Sequence, residues 1–248
     1  MKKIIAVITV SFLLLTSCST NDNNGNNKAG NKKSLGTSAH DLLSEDKFDS
    51  MIIEIVYVEG YQPTPTAISN FVSFLESRIN KSGGITIEQR SIPSPGNVSY
   101  TDSQISSIED ANRIFYNDGN QIAVWAFFAD AKSSKDTSTS VILGTAYRNT
   151  SFVIYENTVR KLSTGINKPS TVVLESTVME HEFGHILGLT NSGTPMQTPH
   201  EDKDHERHCS NSNCLMYWEA ESGSNLLGGS IPQLDADCIA DLKGYGGK

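Results

Sequence analysis

Hydrophobic runs long enough to cross a membrane are missing from this chain. Its longest predominantly apolar stretch, Ile4 to Leu15, spans twelve residues, short of the roughly 20 that a membrane-spanning helix needs. Positive charge is also scarce. Lys and Arg total 20 against 28 Asp and Glu, for a formal charge of -8, and no basic cluster occurs. Nucleic acid is thereby excluded as a partner, because neutralising phosphates requires Lys and Arg gathered on one surface. Internal repeats are absent. Cysteine is sparse: beyond Cys18 there remain Cys209, Cys214 and Cys238, an odd number. In an oxidising compartment the simplest arithmetic is one disulfide and one spare thiol, with Cys209 and Cys214 closing a small loop; three reduced, buried thiols are the alternative.

The N-terminus is organised for export. Met1-Lys2-Lys3, the apolar run and Leu15-Thr16-Ser17-Cys18 resemble a bacterial lipoprotein signal peptide with its lipobox. That resemblance implies cleavage after residue 17, acylation of Cys18, and a place in the bacterial cell envelope, at the outer membrane or cell surface. Residues 18–48 open with Asn at 21, 23, 24, 26, 27 and 31, and a run so polar cannot bury a core, so a flexible tether is expected. From about Asp49 the composition becomes apolar and periodic, which assigns 49–248 to a single domain. No blocking cysteine precedes that domain, so latency is not expected.

Strands are expected at Met51–Val58, Ile85–Gln89 and Gln121–Phe128, and helices at Thr66–Ile79 and Thr101–Tyr116, in β-α-β-α-β order. Val141–Tyr147 and Ser151–Tyr155, joined by Arg148-Asn149-Thr150, read as a hairpin. A helix from about Ser170 to Leu189 follows. The chain then turns irregular to Asn213 and closes with a helix from about Pro232 to Leu242. The fold class expected is α/β: a mixed, mostly parallel twisted sheet packed on helices, with an irregular C-terminal subdomain and a terminal helix.

Five of the six histidines lie between His181 and His208. The run His181-Glu182-Phe183-Gly184-His185 places two imidazoles four apart, hence on one face of a helix, with an acid between them. Val172, Met179, Phe183 and Ile186 along one side mark a core helix as well. Two imidazoles and a carboxylate are costly to bury without partners, and a divalent metal satisfies all three. His181 and His185 are therefore candidate zinc ligands and Glu182 a candidate general base.

The element order and this helix resemble the metzincin clan of zinc peptidases, which has the zincin-like α+β fold. Gly188 stands where that clan has the glycine that turns the chain out of the helix, but Asn191 occupies the third-ligand position. The run His208-Cys209-Ser210-Asn211-Ser212-Asn213-Cys214-Leu215-Met216 is similar to archaemetzincins, in which a third His ligand is followed by Cys, a second Cys and a Met. The resemblance implies that His208 is the third ligand, Met216 the Met-turn residue and Zn²⁺ the cofactor. His200, His205 and Asn191 compete with His208 for the third place. Cys238 stands alone where archaemetzincins carry paired cysteines, so no second structural zinc is expected.

The resemblance further implies a zinc-dependent endopeptidase: a metal-bound water is activated by Glu182, attacks a peptide carbonyl, and Glu182 passes the proton to the leaving amine. The substrate is then a protein or peptide, paired with the edge strand at Val141–Tyr147. The expected partners are that substrate and, through the lipid anchor, a membrane; the expected state is a monomer. Two alternatives remain open. One is a gluzincin-type peptidase with Glu201, Glu206 or Glu219 as third ligand. The other is a surface lipoprotein that binds metal without hydrolysis. The run from His200 to Glu206 reads as a solvated acidic loop or as a calcium or second-metal loop.

Overall fold

A computed structural model of the chain describes residues 28–166, 168–221 and 229–248. The expected signal peptide, Cys18 and the start of the tether lie outside the described residues. Strand β1 (Ser50–Val58) sits between β2 (Gly84–Ile92) and β4 (Gln121–Phe128), parallel to both. Strand β7 (Ser151–Ile154) continues the parallel set beside β4, and β6 (Gly144–Arg148) runs antiparallel to β7 at the edge. The order is β2-β1-β4-β7-β6, the mixed, mostly parallel sheet expected. A two-residue pair, β3 (Ser99–Tyr100) with β5 (Lys132–Ser133), lies apart from it.

Strand β4 shows why the sheet is central. Every residue after Gln121 is buried. Ile122, Val124, Ala126 and Phe128 enter one core, while Trp125 and Phe127 enter another on the opposite face, as period-two alternation requires of a strand covered on both sides. The larger core also receives α2 (Pro65–Glu76), α5 (Thr171–Ile186) and α6 (Ala236–Gly244); the smaller is closed by α3 (Asp102–Asn112). None of the described helices is long and apolar enough to cross a membrane.

Several boundaries differ from expectation, each for a physical reason. Helix α3 starts with a Thr101–Gln104 capping box but stops before Tyr116, because Arg113 is drawn inward to Glu109 at 2.7 Å and to the carbonyls of Phe115 and Ala123. The last helix begins at Ala236, capped by Asp235, rather than at Pro232. Residues 232–234 are instead held extended, with Leu215 N–H donating to the Gln233 carbonyl. The short helix α4 (Glu156–Leu162) was not foreseen.

The largest correction concerns the tether. From residue 28 onward the N-terminal segment is part of the domain, and α1 (Ala39–Leu43) buries Leu42 and Leu43 in the main core. Asn31 is fully buried: its amide donates to Asn117 Oδ1, the Ala123 carbonyl and Thr150 Oγ1, and its Oδ1 accepts from Asn117 N–H. Asn149 binds the Gly30 carbonyl and Lys33 N–H in the same way. Gly36 then passes so close to Ser192 that a Cβ there would lie 1.6 Å from the Ser192 carbonyl oxygen. Asparagine reads as polar tether by composition, but here its amides replace backbone partners.

Helix α4 brings Glu156 against Glu175 of α5. Glu156 is fully buried, and burial followed by the neighbouring Glu175 carboxylate pushes its pKa from 4.5 up to about 9. Arg160 Nε donates to it at 2.5 Å, while Glu175 accepts from Thr64 N–H and Oγ1. A carboxyl raised in the folded state holds a proton that the unfolded chain releases. Its contribution is therefore complete below 4.5 and is lost as pH rises toward about 9. Denaturant titrations at pH 5, 7 and 9 are expected to show stability falling with pH, by up to about 1.4 kcal/mol per unit from this group. Glu156→Gln is expected to flatten that slope; parallel curves for variant and wild type would refute the assignment.

Candidate metal centre and cleft

Helix α5 is capped by Ser170, whose side chain accepts from Val173 N–H, and every residue from Val173 to Ile186 is buried. One turn apart on it, His181 and His185 point the same way, with their Nε2 atoms 3.1 Å apart. Beyond the helix the chain turns sharply. Gly188 has φ of 79°, and a Cβ there would meet Thr194 N at 2.5 Å. Thr190 and Asn191 also take left-handed backbones. The excursion that follows is tied back by Thr190 Oγ1, which donates to the Arg207 carbonyl. His208 is delivered in this way to the pair: its ring lies 5.4 Å from that of His181 and 5.1 Å from that of His185.

The three imidazoles form a group able to hold one metal ion, their ligand atoms lying within 4.8 Å of one another. Their chemistry fits zinc. His181 Nδ1–H donates to the Leu215 carbonyl at 2.7 Å and His208 Nδ1–H to the Glu206 carbonyl at 3.0 Å. Such bonds fix the tautomer that leaves Nε2 as a lone-pair donor. Two nitrogens bound to a tetrahedral zinc at about 2.0–2.1 Å stand roughly 3.3 Å apart, close to the His181–His185 separation.

The competitors for the third place go elsewhere. Asn191 Nδ2 donates to Glu201 Oε2. His205 stacks on Trp218 at 4.3 Å and bonds Asp202, within the acidic loop. His200 belongs to a different cluster. Met216 lies directly beneath α5: a Cβ on Gly184 would come 2.3 Å from its sulfur.

Glu182 is buried beside the histidines, and its Oε2 accepts the Ala146 N–H of edge strand β6 at 2.7 Å. Gly144 makes that approach possible, since a Cβ there would lie 2.6 Å from Glu182 Cγ. A cleft of about 220 Å³ opens here, with Gly144, Thr145, Ala146, Glu182, His185 and His208 among its lining residues. The sequence carried no signal for Gly144 or Ala146. One contributes a missing side chain and the other only its backbone.

The cysteines overturn one expectation and reopen another. No disulfide joins Cys209 and Cys214; all three described cysteines are buried free thiols. Cys214 Sγ is 3.6 Å from Cys238 Sγ, Cys209 Sγ is 3.2 Å from Asp235 Oδ2, and His200 Nδ1 faces Cys238 Sγ at 4.0 Å. His200, Cys209, Asp235 and Cys238 form a second group able to hold a metal ion. The partner that Cys238 lacks in sequence is thus supplied by His200, whose Nε2 is fixed by Asp241 at 2.7 Å. Hydrogen bonds from the other two thiols and from the Asp235 and Met216 amides hold Cys214 well below the usual thiol range. The 3.6 Å between Cys214 and Cys238 is the spacing of two sulfurs on Zn–S bonds of about 2.3 Å, with Cys214 lying beside that group rather than in it. A histidine near three clustered cysteines was the available signal.

No family model matches the chain, and no curated protein matches it in sequence. Solved structures match it in fold. The archaemetzincin of Methanopyrus kandleri aligns with a TM-score of 0.52 at 15% identity, over 79% of this chain and 96% of that one. A zinc-dependent peptidase from Methanocorpusculum labreanum gives 0.47 at 13% identity, over 77% of this chain and 99% of that one. Metalloproteinase-II from Bacteroides fragilis gives 0.45 at 15% identity, over 82% and 54% respectively. At these identities the likeness is one of fold: this chain has the archaemetzincin-like zincin fold.

Proposed function

We propose that the chain is a zinc-dependent endopeptidase with His181, His185 and His208 as zinc ligands and Glu182 as general base. The observation that carries the reading is the convergence of three imidazoles with a buried carboxylate at a cleft beside an exposed strand edge. Zinc held by the three histidines supplies Lewis acidity toward a peptide carbonyl and acidifies water. Glu182, oriented by Ala146 N–H, takes the proton of the attacking water and returns it to the leaving amine. Strand β6, paired on one side only among the described residues, offers its other edge to an extended peptide. Met216 supports the floor of the site through Gly184, and the thiol cluster holds a second zinc that anchors the segment from His208 to Met216. The signal-like N-terminus supports attachment of this domain to the bacterial envelope through Cys18.

Metal analysis together with casein cleavage tests the reading. Two zinc ions per chain are expected, with cleavage abolished by a chelator and restored by zinc. His208→Ala is expected to lose one ion and the activity while keeping the other ion. Tight zinc without any cleavage would favour a metal-binding protein instead.

A further inference from the structure

The cleft does not end at Ala146. It continues into a second cavity of about 320 Å³ lined by Ser34, Leu35, Tyr147, Asn191, Ser192 and Arg207. Leu35 and Arg207 line both cavities, so the two adjoin beside β6. Among the described residues, none that lines the extension is acidic. Arg207, immediately before His208, is exposed, and its guanidinium makes no ion pair or hydrogen bond among the described residues.

The backbone under that side chain is specially held. Arg207 has φ of 66°, a conformation that costs a non-glycine residue on the order of 1 kcal/mol and persists only where surrounding bonds impose it. Arg207 N–H donates to Glu201 Oε1 at 2.7 Å, and its carbonyl accepts from Thr190 Oγ1. The other Glu201 oxygen takes Asn191 Nδ2 at 3.1 Å. This carboxylate is therefore occupied in shaping the backbone. The other charged residues on the groove do not enter the extension: Lys135 pairs with Asp102 at 2.6 Å, and Glu206 lines the catalytic cavity alone.

We propose that Arg207 selects a carboxylate of the substrate, seated in this extension of the groove. The inference rests on the peptidase reading of the same site. A guanidinium offers planar paired donors that match a carboxylate. In a chain with 28 acidic and 20 basic residues, a cation left for a ligand at the groove is a feature of the site rather than of the bulk charge. The carboxylate comes either from an Asp or Glu side chain or from the C-terminus of a peptide.

Labelled alanine-based peptides with one Glu, or one Gln, walked through every position test this, each made as free acid and as amide. Binding is read by fluorescence anisotropy on Glu182→Gln protein, and cleavage is read on the wild type. Binding about tenfold tighter is expected for Glu than for Gln at one position, a difference of ~1.4 kcal/mol. The preference is lost in Arg207→Gln and reduced but not abolished in Arg207→Lys, whose ammonium keeps the charge without the paired donors. A side-chain carboxylate gives a preference indifferent to amidation, whereas a C-terminal carboxylate gives one that amidation removes. If neither the Glu series nor the free acids bind more tightly than their Gln and amidated counterparts, the inference is overturned without recourse to a variant. Selectivity that survives in folded Arg207→Gln overturns it too. Selective binding with no wild-type cleavage refutes the peptidase reading and leaves the role of Arg207 standing.

Discussion

Glu182→Gln is expected to slow peptide cleavage by about 10³-fold, within the range lost when a positioned proton carrier is removed, while zinc content stays at its wild-type value. The substitution is nearly isosteric, and the amide oxygen can still accept the Ala146 N–H that holds Glu182 at 2.7 Å. What disappears is the capacity to take a proton from water and return it to the amine. Turnover of a fluorogenic peptide, measured beside zinc content, checks this. Near-normal turnover with zinc retained would mean that the proton is carried elsewhere and that Glu182 only braces β6.

Arg113→Leu is expected to lower unfolding free energy by about 3–5 kcal/mol, the usual cost of stranding one member of a buried ion pair. Arg113 and Glu109 side chains are both fully buried and 2.7 Å apart. The same guanidinium also donates to Ser151 Oγ and to the carbonyls of Ala123 and Phe115. Without it Glu109 keeps Arg148 at 2.9 Å and Ser151 Oγ at 2.7 Å, and neither restores the charge-matched bond that Arg113 supplied. For a domain of this size the loss corresponds to a melting point lower by about 10 °C. Adding Glu109→Leu is expected to recover part of it, since the stranded charge is then gone. Equal melting of Arg113→Leu and wild type would show that the pair is compensated by solvent.

Elements governed by local periodicity were legible in the sequence. Strands β1 and β4, the β6–β7 hairpin and helix α5 announce themselves through alternation or a four-residue repeat, and His181, Glu182 and His185 come from one helical turn. The route to His208 was legible only through the cysteines and methionine that follow it. What stayed hidden depends on distant partners. Asn31 finds its acceptors in Asn117, Ala123 and Thr150, so composition alone could not distinguish a stitched segment from a loose one. The thiol cluster is assembled from three places in the chain and from a histidine inside an apparent insertion. Pairwise cysteine arithmetic suggested a bridge where the fold collects donors.

The stitching of the N-terminal segment also fixes how far the groove can stray from any surface to which the chain is attached. Leu35 forms part of the groove wall, and the segment is sewn to the domain from Gly30 onward. If Cys18 carries the lipid proposed for it, nine residues lie between it and Lys28, or ten Cα-to-Cα steps. At roughly 3.5 Å per extended residue that leash reaches at most about 35 Å, close to the thickness of a bilayer core. An enzyme so tied would graze a shell about one protein diameter deep, cutting what lies on or protrudes from its own membrane and leaving more distant chains untouched.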